Sequence, residues 1–79
     1  MANKEGYERL ANAIVIQAAE DYRKALKKLN KHPRDDNAKL LVNELERFFK
    51  SQWYNELTDI SGEWLMEKIK KSVQPIRMT

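Results

Sequence analysis

Cysteine is absent, histidine occurs once, and glycine and proline occur twice each in a chain of 79 residues. Without thiols there is no disulfide and no thiolate metal site, which suits a reducing compartment. His32 alone cannot build a histidine-based zinc site. So few glycines and prolines leave little turn chemistry for an all-β or loop-rich fold, and no useful stretch alternates with the period of a strand. No apolar run approaches the roughly 18 residues of a membrane span. Residues 1–6 are polar and carry no signal-type apolar region. The expectation is a cytoplasmic protein with no membrane partner. There is also no Gly-rich loop to cradle phosphates, and no cofactor is expected.

What is there is helix-favouring and charged. Charged residues make up 34% of the chain, with a net charge of +3. That balance is mildly basic and most simply reads as solvated helix surface. At this length the chain forms one domain, 1–79, with a small core. Scaffolds of this size need a staple, a partner subunit or unusually good helix packing. With disulfides and metal excluded, the last two remain, and a homo-oligomer is expected.

The fold class predicted is all-α, a small helical bundle. A long first helix spans 5–31, with Tyr7, Ala11, Ile14, Ala18, Tyr22, Ala25 and Leu29 in one stripe at spacings of three and four. Leu10, Val15 and Leu26 flank it. Acids in its first turn and Lys27, Lys28 and Lys31 in its last suit the helix dipole. Pro33 stops it, because a residue before proline avoids the α region. Asp35 or Asp36 caps a second, antiparallel helix over 36–50, joined by a short loop. Its apolar side carries Leu41, Leu45, Phe48, Phe49 and Gln52, with Leu40 and Val42 flanking. Residues 51–57 form either a short aromatic helix capped by Ser51 or a continuation of helix two. After a turn over 58–62, Asp59 or Ser61 caps a last helix over 61–73 carrying Leu65, Met66, Ile69 and Val73. Residues 75–79 read as a loose tail.

Five of the seven aromatic residues fall between positions 48 and 64. Phe48 and Phe49 continue the apolar side of helix two and belong to the core. Trp53, Tyr54 and Trp64 are candidate partner-binding anchors, because tryptophan and tyrosine dominate interface hot spots and two tryptophans are generous for so small a core. The bland alternative is that they too are buried. Arg23, Lys24, Lys27, Lys28 and Lys31 form a basic face on the first helix, covering an arc of roughly 140° opposite the stripe. Such a face meets phosphates or an acidic protein surface, or simply solvates the helix beside its negative pole. Ile16 lies about 160° from the centre of the stripe, and Ala13 is also off it. They are candidate self-association residues. The alternatives are a lone exposed isoleucine or contact with the last helix.

Catalysis finds no constellation. His32 sits in a loop beside Pro33 with no thiol and no serine partner, and the carboxylate pairs are those of any soluble helix. No catalytic or metal residue is assigned, and the protein is not expected to be an enzyme. A base-reading helix-turn-helix is disfavoured as well, since the last helix begins with Glu63 and Glu67 and holds Lys68, Lys70 and Lys71 at its far end.

The segment from Ala11 to Ile69, with "ANAIVIQAAEDYRKALKKL", "NELERFF", "WYNELT" and "GEWLMEKI", resembles short uncharacterised proteins encoded by phages and integrated elements of low-GC Gram-positive bacteria. The resemblance covers about three quarters of the chain and assigns no catalytic or binding residue. It implies a small accessory protein in the cytoplasm of a bacterial host, acting on host machinery or defence. The leading expectation is a non-enzymatic protein that docks on and modulates a macromolecule, with a protein as the partner. Two alternatives stay open: sequence-independent nucleic-acid binding by the basic face, and an oligomer that sequesters a small anionic, nucleotide-like ligand.

Overall fold

Alanines at 11, 18 and 25 keep one side of the first helix narrow, so that neighbouring helices approach it closely. In the computed structural model, which describes residues 4–73 and side chains from Gly6 to Val73, this is α1 (Lys4–Lys31). Three shorter helices lie on it: α2 (Asp36–Phe49), α3 (Gln52–Leu57) and α4 (Gly62–Val73). No strand occurs among the described residues. The protein is an all-α bundle, and the tail expected at 75–79 lies outside the described residues.

Each break between helices has a local cause. After α1 the chain turns through Pro33, and the Asp35 N–H donates to the His32 carbonyl at 3.0 Å. Asp35 is the N-cap of α2, its Oδ1 accepting from the Ala38 N–H at 3.0 Å. That bond, together with Lys28 3.4 Å away, holds the Asp35 carboxyl below its usual pKa. Helix two does not run through into the aromatic segment. The Ser51 hydroxyl accepts from the Tyr54 N–H at 3.1 Å and donates to the Phe48 carbonyl at 2.6 Å, so one side chain ends α2 and begins α3. Ser61 caps α4 through the Trp64 N–H at 3.2 Å.

The core is a single cluster. Ala11, Val15, Ala18, Tyr22 and Ala25 of α1 meet Val42 and Phe49 of α2, Tyr54 and Leu57 of α3, and Met66 and Ile69 of α4. α2 runs antiparallel to α1: Ala38 lies beside Ala25, Leu45 beside Ala18, and Phe48 beside Ile14. α4 covers one side of this hairpin. It ends beside the end of α1, where Asn30 donates to the Val73 carbonyl at 3.1 Å.

Two expected faces are rotated or cut short. On α2 the inward residues are Ala38, Val42 and Phe49, while Leu41 is 41% exposed and Leu40 58%. Each residue turns the helix by about 100°, so centring the face on Val42 and Phe49 swings Leu41 toward its edge. Gln52 belongs to α3 and is exposed. On α1 the stripe holds from Ala11 onward, but Tyr7 and Leu10 are 57% and 61% exposed. The end of α3 and the turn after it, Glu56 to Asp59, border a pocket with Tyr7 and Glu8 but leave Tyr7 and Leu10 more than half exposed.

Candidate docking surfaces

Five aromatic rings touch in sequence. Tyr22 meets Phe49 at 5.5 Å between centroids, Phe49 meets both Phe48 and Tyr54 at 5.5 Å, and Phe48 meets Trp53 at 5.5 Å. Most of these pairs are edge-to-face, which the ring quadrupoles favour. Tyr22 and Tyr54 are fully buried. The Tyr22 hydroxyl donates to Glu46 Oε2 at 2.7 Å, and Lys70 Nζ lies 3.8 Å from the same oxygen. Burial, and then the bond to Glu46, push the Tyr22 pKa up. Burial also raises that of Tyr54, whose hydroxyl has no hydrogen-bond partner among the described residues.

Tyr54 is therefore a core residue, which corrects its reading as a surface anchor. As the residue after the Ser51–Gln52–Trp53 turn, it points back into the hairpin while Trp53 points away. Trp53 and Trp64 are 54% and 55% exposed. They stand on different surfaces. Trp64 is on the outward side of α4, with Lys68 Nζ 5.6 Å from its ring centre and exposed Ile60 just before the helix. Trp53 leans on Phe48 at the end of an open groove of about 530 Å³ between α1 and α2, whose walls include Ala13, Ile14, Gln17 and Leu45.

No residue of α4 lines this groove. The reason is visible in α2. Glu46 and Phe48 are two positions apart, so their side chains leave the helix about 160° apart. Glu46 faces α4 and Lys70, while Phe48 faces the groove. The α1–α2 hairpin thus has one covered side and one bare side.

Ala13 and Ile16, paired as self-association candidates, are neighbours on α1, but only one of them borders the groove. Ala13 is on the groove wall. Ile16 is 57% exposed and is not packed under the last helix. The basic residues Arg23, Lys24, Lys27, Lys28 and Lys31 are all exposed. Lys27, Lys28 and Lys31 gather with exposed His32 around an open cleft at the end of α1, closed on one side by Val73. Lys24 and Lys28 border a smaller depression with Asp21 and Leu41. Among the described residues no group of three or more His, Asp or Glu side chains is placed to hold a metal ion, and no described helix is long and apolar enough to cross a membrane.

Sequence reasoning missed Ile14, Leu45 and Phe48 as groove residues and the exposure of Ile60. The signal was the width of the apolar arc on α2. Leu40, Leu41, Val42, Leu45, Phe48 and Phe49 span more of the helix than one contact can bury. No protein-family model, curated protein or solved structure matches this chain.

Proposed function

We propose that this is a non-enzymatic binding protein that docks on another protein through outward-facing tryptophan. The observation that carries the reading is that both tryptophans stand about half exposed although the core is complete without them. Tryptophan at the surface of a small soluble bundle costs solubility and contributes nothing to packing, whereas at an interface it is the commonest hot spot. Trp64 has a lysine over its ring, an apolar surface with a polar neighbour. The basic residues at the end of α1 steer association toward an acidic surface. With the resemblance to phage-type accessory proteins, the outcome of docking is modulation or inhibition of a host or defence protein in the bacterial cytoplasm.

The test is capture of partners from bacterial lysate with and without nuclease, using the wild type and Trp64→Ala. A dominant protein retained after nuclease and lost with Trp64→Ala supports the reading. A second reading is favoured by Lys27, Lys28, Lys31 and His32 around one cleft: nucleic acid or a small anionic ligand held by charge alone. Recovery that vanishes with nuclease and falls steeply with salt, or a thermal shift with nucleotide abolished by lysine-to-alanine changes, moves the function there.

A further inference from the structure

We propose that the end of the molecule where α1 stops binds the phosphodiester backbone of nucleic acid, by charge and without regard to sequence. This rests on the charge reading of that end given above and chooses one of its anions. It makes no use of Trp64, so docking through Trp64 stands or falls apart from it.

Three elements meet at this end. α1 and α4 stop side by side, where Asn30 donates to the Val73 carbonyl, and α2 starts there, with Ala38 beside Ala25. Between Asp21 and Asp35 the chain carries Arg23, Lys24, Lys27, Lys28, Lys31 and Arg34 and no acid, and all of these cations are exposed. Asp35 is itself engaged, as the cap of α2 and 3.4 Å from Lys28. Asp36 follows in the first turn of α2, where the positive pole of that helix offsets it. The two flanks of the end differ. Toward α2, Lys24 and Lys28 share a mixed surface with Asp21, Asn37 and Leu41. Toward α4, the cleft around Lys27, Lys31 and His32 has no carboxylate in its lining. From Lys28 back to Glu8, roughly 30 Å along α1, the charge reverses. Glu8, Glu56 and Asp59 line the pocket beside Tyr7, with no lysine or arginine among them. The field is therefore polarised along the 54 Å length of the molecule and turns the cationic end toward a polyanion.

The kind of anion follows from what the cleft offers. A compact phosphate is held by converging backbone N–H groups at the start of a helix. Here α1 presents its carbonyl end, and the donors are lysines, point charges on flexible stems. A single phosphate gains little from that. A chain of phosphates gains more, because Lys24, Lys27, Lys28 and Lys31 are strung over about 10 Å of α1, and each phosphate neutralised releases counterions. An acidic protein surface would need an apolar anchor at the centre of the contact. None of the large exposed apolar residues lines this cleft. No Phe, Tyr or Trp lines it either, so bases find no stacking platform and sequence is not read. Charge without an apolar centre is the character of a contact to the nucleic-acid backbone.

The test is fluorescence anisotropy of labelled DNA about 20 nucleotides long, of several sequences, titrated with the full chain at roughly 50 mM salt. Circular dichroism accompanies every variant. The wild type is expected to bind all sequences with similar affinity, and the log–log salt slope should be about −3, as for three to four phosphates neutralised. Lys27→Glu with Lys31→Glu is expected to weaken binding at least about tenfold and to flatten that slope, with helicity unchanged. Lys27→Gln with Lys31→Gln gives the same direction should charge reversal cost helicity. Lys50→Glu, at the far end of α2, is expected to change affinity by no more than about twofold, since screening confines the effect to nearby charges. Trp64→Ala is expected to leave DNA binding unchanged. No binding at low salt, or binding indifferent to both Lys27/Lys31 double variants, overturns the proposal. So does ATP or poly-L-glutamate bound as tightly as DNA at equal salt, the first pointing to a small ligand and the second to an acidic protein. Loss of DNA binding with Trp64→Ala overturns it as well. A chain that ignores DNA yet captures a protein through Trp64 would sink this inference and leave the docking reading standing.

Discussion

Tyr54 and Tyr22 are both fully buried tyrosines, yet their hydroxyls have opposite consequences. That of Tyr54 meets no partner among the described residues, so Tyr54→Phe removes a desolvated polar group and keeps the ring. Urea unfolding should show stability held or raised by up to about 1 kcal/mol. A clear loss would mean that the hydroxyl is engaged. The hydroxyl of Tyr22 donates to an ionised carboxylate at 2.7 Å, and Tyr22→Phe should cost about 1.5–3 kcal/mol. The same bond sets a pH limit. Because the folded-state pKa of Tyr22 is raised, the unfolded chain releases its proton first, near the ordinary tyrosine value of about 10. Stability is full below that pH and declines above it, as the unfolded state binds fewer protons. Denaturation midpoints between neutral pH and about pH 11 should fall less steeply in Tyr22→Phe than in the wild type. Asp35 acts at the other end. Its carboxyl is held down by the Ala38 N–H and Lys28, so its contribution is present above the ordinary carboxylate range and is lost as acid protonates it.

The joints between helices are where single changes do most harm. Gly62 is buried, and a Cβ there would clash with the carbonyl oxygen of Phe49. Its φ is negative, so the requirement is for close approach and not for backbone freedom. Gly62→Ala should cost about 1–3 kcal/mol through overpacking, read as a lower thermal midpoint with α4 loosened first in hydrogen exchange. Ser51→Ala deletes both the cap of α3 and the bond to the Phe48 carbonyl, and about 1 kcal/mol is expected from the cap. These joints show what the sequence could and could not reveal. Pro33, Asp35, Ser51 and Ser61 act on backbone within a few residues, so local spacing made each a candidate, and the structure chose Asp35 over Asp36, Ser61 over Asp59, and a Ser51 cap over an unbroken helix two. Tyr54 and Leu41 were misjudged because their burial depends on how α3 and α2 rotate against α1, which no local pattern fixes. Tyr7 fits the stripe by angle, but the end of α3 and the turn after it leave it more than half exposed.

For the whole molecule, the coverage of α4 on only one side of the hairpin puts the two half-exposed tryptophans on different surfaces. Acrylamide quenching of single-tryptophan variants separates the two. In dilute protein both are expected to be accessible. Protection of either tryptophan from the quencher in dilute protein would contradict their outward placement. The assignment of sides was not available from the helical pattern of either helix alone. It follows from Glu46 and Phe48 leaving α2 in nearly opposite directions, one toward Lys70 and one toward Trp53.

The seating of Gly62 on the Phe49 carbonyl carries a consequence for ancestry. A joint made by main-chain atoms constrains one position to a missing side chain and leaves its surroundings free to drift. The tryptophans face outward and are answerable to whatever they bind, so they can change as fast as a partner does. A lineage of this fold would therefore keep a glycine after a serine cap while its aromatic surface turned over. Kinship would be traced through that small, silent residue more readily than through the conspicuous ones.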